Sequence, residues 1–207
     1  MNDSLVIGED GHARCGWGSS TPDYAEYHDL EWGRAVTDDR TLFEKMCLEG
    51  FQSGLSWITV LRKRPAFREV FADFDAGIVA GYGEPDVLQL LDDTRIIRHR
   101  GKIEATISNA RVLLDLQAQG QTLAALIWSY RPDDCTRPRS FAEVPATTPG
   151  STTLSKDLKK RGFRFVGPTT AYAAMQAMGV VNDHIVGCWV GDECDNSQKR
   201  AAQTLSN

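Results

Sequence analysis

The sequence lacks an apolar run long enough to span a membrane. The longest is LAALIW at 123–128, far short of the roughly 20 residues that a spanning helix needs. The segment MNDSLVIGEDGHARCGW also lacks the basic start and apolar stretch of a signal peptide. We therefore expect a cytoplasmic protein without a membrane partner. Its 207 residues, 42% hydrophobic and 25% charged, allow a single globular domain over 1–207, with room for two lobes.

Cysteine is scarce and irregularly spaced. The five cysteines are Cys15, Cys47, Cys135, Cys188 and Cys194. An odd number at irregular spacing does not indicate a disulfide framework in a reducing compartment. Metal ligation and plain burial remain the two interpretations.

Strand-like alternation is also rare, and the nearest case is the short FRFVG at 163–167. Helical spacing of apolar residues is common instead, as in RPAFREVFADF (64–74), where Pro65 suits a first turn. Further helices are predicted over 101–118 and 168–179, the latter beginning with Pro and ending with Gly. The pattern predicts an all-α fold.

Basic charge is scarce at the start of the chain and clustered later. The net charge is −5 overall, with −7 in residues 1–49 and +2 in the remainder. Three basic clusters occupy 62–64, 95–102 and 156–164. Local patches rather than net charge determine phosphate contact. For each cluster, a solvated helix face is the alternative interpretation.

Two pairs of metal-ligand residues stand far apart in the sequence. His184 and Cys188 are four residues apart, so a helix would place them on one face. Cys15 and His28 could supply two further ligands, and two thiolates with two imidazoles suit tetrahedral zinc. Four protein ligands leave no position for a catalytic water, so the ion would be structural and would join the two ends of the chain. Buried histidines and thiols without a metal are the alternative.

An acid occupies an apolar helical stripe. Leu42, Met46, Glu49 and Ser53 share one face of the helix predicted in this region, so Glu49 faces inward. A buried carboxylate must be paired, hydrogen-bonded or functional. With Gln52 and Trp57 nearby, Glu49 indicates a pocket for a flat polar ligand. A structural Glu that pairs with a buried Arg or caps a helix is the alternative.

Six blocks of sequence occur between residues 14 and 190. They are RCGW (14–17), YAEYHDLEWG (24–33), LEGFQSGLSWITVLRKR (48–64), IIRHRGKI (96–103), LKKRGFRFVGPT (158–169) and VNDHIVGC (181–188). Together they resemble the 3-methyladenine DNA glycosylase I family. Residues 1–13 and 190–207 lie outside the resemblance and are predicted to be flexible tails.

The resemblance implies a helix-hairpin-helix DNA glycosylase fold, with N- and C-terminal segments joined at one structural zinc ion. The zinc ligands would be Cys15, His28, His184 and Cys188. The turn around IIRHRG would be the hairpin, holding phosphates through main-chain N–H groups and basic side chains. The DNA-binding residues would be Arg98, Arg100, Gly101 and Lys102.

The resemblance also implies the chemistry, which is hydrolysis of the glycosidic bond of 3-methyladenine by a monomer acting on alkylated double-stranded DNA. A lesion base must leave the base stack and enter a pocket. Glu49 would be the catalytic residue, and whether it activates water or only recognises the base stays open. No lysine is placed for a Schiff base, so we expect no strand cleavage. The base-binding residues would be Tyr27, Trp57, Tyr24, Trp17 and Gln52.

Two rival functions remain. One is a non-catalytic DNA-damage-binding module of the same fold, although Glu49, Trp57 and Tyr27 are all present. The other is a zinc hydrolase of small molecules, which would need an open metal position. Ser53 is one departure from the family, where we expect a small residue such as Ala.

Overall fold

The computed structural model describes residues 4–134 and 136–205, and these residues are mostly helical. Cys135 and residues 1–3 and 206–207 lie outside this part of the chain. The ten α-helices of the described residues are α1 (Pro22–Leu30), α2 (Asp39–Gln52), α3 (Trp57–Val70), α4 (Ala76–Val79), α5 (Glu84–Asp92), α6 (Arg100–Ala118), α7 (Leu123–Trp128), α8 (Pro149–Arg161), α9 (Pro168–Ala177) and α10 (Gly191–Leu205).

A small antiparallel hairpin precedes the helices. β1 (Leu5–Ile7) pairs with β2 (Ala13–Cys15), and Leu5 lies opposite Cys15. This differs from the predicted flexible tail over 1–13, although residues 1–3 of that tail are not described. The segment 163–167, where strand-like alternation was strongest, is a loop in which Phe165 adopts a φ of +55°. The hairpin ends at Cys15 and so delivers that thiol to the interior.

The C-terminal segment also differs from the predicted flexible tail. Residues Gly191–Leu205 form α10, which packs against α7. Besides its first residue, Gly191, the buried residues of α10 are Cys194, Gln198 and Ala201. Their i, i+4, i+7 spacing places them on one face of the helix. That face contacts the rest of the protein, which explains why the segment is helical. Residues 206–207 of the predicted tail are outside the described part.

Helix α2 lies at the centre of the fold. Asp38 caps its N-terminus by accepting a hydrogen bond from the Thr41 N–H at 3.1 Å. The helix contacts α3, α6, α7 and α9, and every residue of 42–51 except Glu44 is buried. A helix that is surrounded on most sides buries nearly its whole circumference. The prediction that Glu49 faces inward is confirmed.

The helix predicted over 101–118 is confirmed. The helix predicted over 168–179 is also confirmed, although it ends at Ala177. α3 is different, because it begins at Trp57 and Pro65 lies inside it rather than in its first turn. Pro65 therefore removes one main-chain hydrogen bond from the helix interior. The aromatic residues after it are nevertheless core residues, since Phe67, Phe71 and Phe74 are fully buried.

Candidate active site and metal-binding cluster

An aromatic cleft of about 210 Å³ lies between α1, α2, α3 and α9. It is lined by Trp17, Tyr24, Tyr27, Trp32, Glu49, Gln52, Trp57, Ala173 and Gln176. All six residues predicted to recognise the base or act on it therefore meet in one cleft. Sequence reasoning missed Trp32, which belongs to the same aromatic block, and Ala173 and Gln176. The last two lie on α9, and nothing local in the sequence connects them with α1 or α2.

A hydrogen bond joins two of the helices that line the cleft, α1 and α3. The Ile58 N–H in the first turn of α3 donates to the Tyr24 hydroxyl at 2.9 Å. This bond satisfies one of the main-chain donors that a helix start leaves unpaired. It also holds Tyr24 of α1 beside Trp57, the first residue of α3.

The aromatic walls hold fixed mutual orientations. Trp17 packs edge-to-face against Trp32 at 5.0 Å and against Tyr24 at 5.5 Å between ring centroids. Tyr27 and Trp57 pack at 5.4 Å with a tilt of 43°. Edge-to-face and tilted contacts are favourable and restrict ring rotation. The cleft therefore presents preformed flat surfaces to a ligand.

Glu49 is the carboxyl group that lines the cleft. It is 5% exposed, and its Oε2 atom has no hydrogen-bond partner among the described residues. Burial raises the pKa of Glu49 to about 8, against a smaller lowering by Lys45. The indole Nε1 of Trp57 is likewise buried without a partner within the described chain. A buried acceptor and a buried donor thus lack partners in a single cleft.

The nearest cations are engaged by another acid. Glu31 accepts hydrogen bonds from Lys45 Nζ at 2.6 Å and from Arg64 Nη1 at 2.6 Å. Burial raises the pKa of Glu31, but the two cations outweigh it and hold the pKa below its ordinary value. Both cations also lie 5.9 Å from the centre of the Tyr27 ring. Glu49 itself has no buried Arg partner within the described chain, which argues against the purely structural interpretation of this acid.

The four predicted metal ligands converge at a second place. Cys15, His28, His184 and Cys188 are all buried, and their ligand atoms lie within 4.8 Å of one another. The Sγ of Cys188 is 3.5 Å from His28 Nε2 and 3.5 Å from His184 Nδ1, and Cys15 Sγ is 3.7 Å from His184 Nδ1. Across a tetrahedral zinc with bonds of about 2.3 and 2.0 Å, sulfur and nitrogen lie about 3.5 Å apart. The group could therefore hold a metal ion.

The other ring nitrogens of the two histidines have acceptors. His28 Nδ1 lies 2.8 Å from Asp29 Oδ1, and His184 Nε2 lies 3.1 Å from the Trp32 carbonyl oxygen. Such partners orient a metal-ligating imidazole and select the nitrogen that faces the ion. Gly33 has a φ of +77°, and a Cβ there would lie 2.8 Å from His184 Nε2. Trp32 thus contacts both the cluster and the cleft, and Gly33 leaves room for the His184 ring.

The predicted DNA-binding residues around IIRHRG do not form one surface. Arg98 is exposed, and Gly101 lies in the first turn of α6. Arg100 pairs with Glu84 at 2.9 Å. Lys102 is buried, and its Nζ donates to the carbonyl oxygens of Phe51 at 2.9 Å and Ser53 at 2.6 Å. A direct role of Lys102 on DNA is therefore a prediction that the structure contradicts, because the ammonium group faces the end of α2.

A second helical hairpin is formed by α8, α9 and the loop 162–167. The two helices pack against each other, and α8 ends at Gly162 with a φ of +105°. Lys159, Lys160 and Arg164 are exposed here, and they make no ion pair within the described chain. The next helix, α9, begins after Gly167 with no side-chain cap on its first N–H groups. This hairpin corresponds to the basic cluster at 156–164 of the sequence.

The fold and the cleft together define a mostly helical protein with a pocket for a flat, polar ligand. Every helix among residues 4–134 and 136–205 is too short or too polar for a membrane-spanning segment. A family model described as methyladenine glycosylase matches residues 17–191. The chain belongs to the methyladenine glycosylase family, and the resemblance found in the sequence is confirmed.

Individual relatives agree with this assignment. The chain is 51% identical over 177 residues to DNA-3-methyladenine glycosylase 1 of Escherichia coli (strain K12), covering 84% of this chain and 95% of the relative. A crystal structure of a 3-methyladenine DNA glycosylase I has 52% identity and a TM-score of 0.83, covering 85% of this chain and 98% of that one. The corresponding enzyme from Staphylococcus aureus, in a study of its 3-methyladenine recognition, has 34% identity and a TM-score of 0.81, covering 86% and 96%.

Proposed function

We propose that this protein is a base-excision repair glycosylase that hydrolyses the N-glycosidic bond of 3-methyladenine in alkylated DNA. The observation that carries the proposal is the buried, unpartnered Oε2 of Glu49 inside an aromatic cleft. A buried polar atom without a partner is costly unless a ligand satisfies it. The relatives named for this activity support the same substrate.

The cleft suits a base that has left the duplex. Trp57 and Tyr27 offer flat faces for stacking, and stacking contributes about 1–3 kcal/mol per base. Glu49 accepts a hydrogen bond from the exocyclic amine or a ring N–H. Gln52, Tyr24 and Trp17 complete the pocket. Ser53, the departure from the family, lies at the end of α2 and outside the set of cleft-lining residues.

The charge of the lesion explains the choice of a buried carboxylate. Methylation at N3 puts positive charge on adenine, and the resulting ion pair with Glu49 favours the lesion over neutral adenine. Proton loss from Glu49 in the complex restores the charge that burial suppresses. The same negative charge stabilises oxocarbenium-like character at the sugar as the bond lengthens.

Cleavage of the glycosidic bond requires no general acid. The electron pair of the C1′–N bond leaves with the base and cancels its positive charge. Water then bonds to C1′ and releases its proton, which yields a free base and an abasic sugar. No lysine lines the cleft within the described residues, so the proposal is hydrolysis without a Schiff base or strand cleavage.

We further propose that Cys15, His28, His184 and Cys188 hold one structural zinc ion. The donor set of two sulfurs and two imidazole nitrogens, and the distances between them, support this ion. The hydrogen bond between Cys15 and Cys188 lowers the pKa of Cys188 and raises that of Cys15, so in the absence of a metal it favours one thiolate of the kind that metals bind. The ion would join β2 and α1 to the segment before α10.

The proposal for DNA binding is non-specific contact with backbone phosphates through a helix-hairpin-helix fold. Exposed Arg98 and the main-chain N–H groups near Gly101 remain candidates at the start of α6. The loop 162–167 is the stronger candidate for the hairpin, because Lys159, Lys160 and Arg164 flank the uncapped start of α9. Arg100 would have to leave Glu84 before it could contact DNA.

The decisive experiment is incubation of the protein with methylated duplex DNA followed by identification of the released bases. Free 3-methyladenine is expected, with intact DNA strands after mild treatment. Binding to damaged DNA without any released base would instead favour a non-catalytic damage-binding module. If neither base release nor DNA binding occurs, the proposed function is wrong even though the family assignment stands.

A further inference from the structure

One face of α6 carries three buried polar residues. Lys102, Thr106 and Asn109 are 7%, 2% and 3% exposed, and their i, i+4, i+7 spacing places them in one stripe. Burying polar groups is unfavourable unless they are hydrogen-bonded. Two of the three bond to main-chain groups of other elements, so the stripe links α6 to its neighbours at defined points.

The first link reaches the end of the helix that carries Glu49. Lys102 Nζ donates to the carbonyl oxygens of Phe51 and Ser53 at 2.9 and 2.6 Å. These carbonyls lie on either side of Gln52, which lines the cleft. A cation at a helix C-terminus also interacts favourably with the unpaired carbonyls there. Lys102 therefore holds the last turn of α2 and the turn that follows.

The second link reaches the α8–α9 hairpin. Asn109 Nδ2 donates to the Arg164 carbonyl oxygen at 3.1 Å, and the Arg164 N–H donates to Asn109 Oδ1 at 2.7 Å. Both main-chain groups of one loop residue are thus held. The next residue, Phe165, has a φ of +55°, a conformation that persists only when its surroundings enforce it. Asn109 supplies that restraint.

The two linked elements also touch each other. A Cβ at Gly50 of α2 would lie 3.3 Å from the Cβ of Phe165, so only the smallest residue lets the loop approach this closely. The end of α2, the start of α6 and the loop 162–167 therefore form one connected unit. Through Gln52 this unit borders the base pocket, and through the loop 162–167 it includes the turn of the basic hairpin.

We propose that Lys102 and Asn109 are positioning residues that fix the base pocket relative to the DNA-contacting hairpin. The inference rests on the proposed function, because it assigns the hairpin to phosphate contact and the cleft to the flipped base. A duplex held by its phosphates presents the extruded base at a set distance from the backbone. Misplacement by about 1 Å can reduce the rate by about 10²-fold, so two elements that bind one substrate need a rigid connection.

The test compares Lys102→Met and Asn109→Asp with the wild-type protein in two assays. Lys102→Met removes the ammonium group and keeps an unbranched side chain, and Asn109→Asp removes the donor to Arg164 while keeping the shape. We expect the single-turnover rate of base release from methylated duplex DNA to fall at least about 10-fold. The affinity for free 3-methyladenine should stay within about threefold, since neither substitution changes a side chain that lines the cleft.

Arg111→Met is the matched control. Arg111 lies on α6 and also donates to two main-chain carbonyls, those of Ala80 and Tyr82 at 2.8 and 3.0 Å. These belong to the α4–α5 connection and not to the cleft or the hairpin. This variant should release base at the wild-type rate. Lys102→Arg, which keeps a donor, should recover a substantial part of the rate lost in Lys102→Met.

The possible outcomes distinguish failure of this inference from failure of the proposed function. Wild-type release of 3-methyladenine with unchanged rates in both folded variants overturns the positioning role alone. An equal loss of rate and of free-base affinity also overturns it, because Lys102 would then act within the pocket. If Lys102→Met does not fold, Asn109→Asp decides the question through the same two assays. If the wild-type protein releases no base, the proposed function and this inference fall together.

Discussion

The cleft and the Cys/His cluster are adjacent, and each contains buried polar atoms, but these atoms differ in whether they have partners. In the cleft, Glu49 Oε2 and Trp57 Nε1 lack partners within the described chain. In the cluster, the four ligand atoms face one another, and the remaining histidine nitrogens meet Asp29 and the Trp32 carbonyl. A folded protein tolerates few buried polar groups that lack a hydrogen-bond partner. The contrast therefore separates a site prepared for a transient ligand from a site suited to a permanent one.

The two regions are also connected by shared residues. Trp17 and Trp32 line the cleft, and Trp17 packs edge-to-face on His28 at 5.3 Å between ring centroids. His28 of the cluster therefore packs against one wall of the cleft. Perturbing each region should consequently affect different measurements, and the following predictions test that separation.

The largest effect is expected from removal of the metal. Chelation should lower the free energy of unfolding by at least about 4 kcal/mol, because binding of a structural ion is coupled to folding. The first protease cleavages should fall within residues 4–38, which the ion would hold to the C-terminal half.

Cys194→Ala serves as the control for chelation, since Cys194 is a buried thiol outside the four-residue group. It should leave the sensitivity to chelator unchanged. An N-terminal segment that resists protease equally well with and without metal would contradict the structural role.

The second largest effect is expected in the cleft from Glu49→Gln. Release of 3-methyladenine should slow by about 10²-fold or more, because the variant removes a charge that stabilises the developing cation. Binding to undamaged DNA should be retained. Glu44→Gln is the matched control on the same helix, since Glu44 pairs with Arg68 outside the cleft. An unchanged rate in Glu49→Gln would remove Glu49 from the chemistry.

A smaller loss is expected when stacking is removed. Trp57→Ala should reduce the rate and the affinity for free 3-methyladenine by about 10- to 100-fold, which corresponds to about 1–3 kcal/mol for one stacked base. Trp57→Phe keeps a flat face and should recover most of this loss. If Phe and Ala variants behave alike, the indole N–H rather than stacking is the important contact.

The last expected effect concerns the pH dependence of stability rather than activity. Because burial raises the pKa of Glu49 to about 8, the native carboxyl keeps a proton that the unfolded chain releases above about pH 4.5. Unfolding therefore releases a proton between these values, and raising the pH through that window destabilises the native state.

Glu49→Gln should remove this contribution. Urea unfolding at pH 5 and pH 8 should show a decrease in wild-type stability, relative to the variant, of about 3 kcal/mol. Parallel pH dependences in the two proteins would show that Glu49 is already ionised in the free enzyme.

Sequence reasoning succeeded where a signal was local or where several blocks coincided with a family. The inward direction of Glu49 followed from helical spacing, and its burial is confirmed. The four-residue cluster was predicted from ligand chemistry and the family blocks, and its convergence is confirmed. The tails were predicted poorly, because Cys194, Gln198 and Ala201 of α10 needed a partner surface that lies elsewhere in the chain.

Lys102 illustrates what could not be predicted from the sequence. A lysine in a basic run is typical of a phosphate contact, and nothing in IIRHRGK distinguishes Lys102 from Arg98. Only the packing of α6 against α2 brings its ammonium group to two main-chain carbonyls and away from solvent. The contribution of Gln176 from α9 to the cleft could not be predicted for the same reason.

Residue types and helical periods thus indicated a pocket for a flat polar ligand and a possible metal cluster, and the family resemblance implied the chemistry. The sequence shows an acid on an apolar stripe with aromatic neighbours, and it shows thiols paired with imidazoles. Each of these features carries a local requirement for a hydrogen-bond partner or a bound ligand. Which of those requirements are met inside the protein, and which are left for a substrate, depends on groups that approach from distant parts of the chain. Hydrogen bonding and burial act over a few ångströms in space, so only the tertiary structure decided that Glu49 stays unpartnered while the histidines do not.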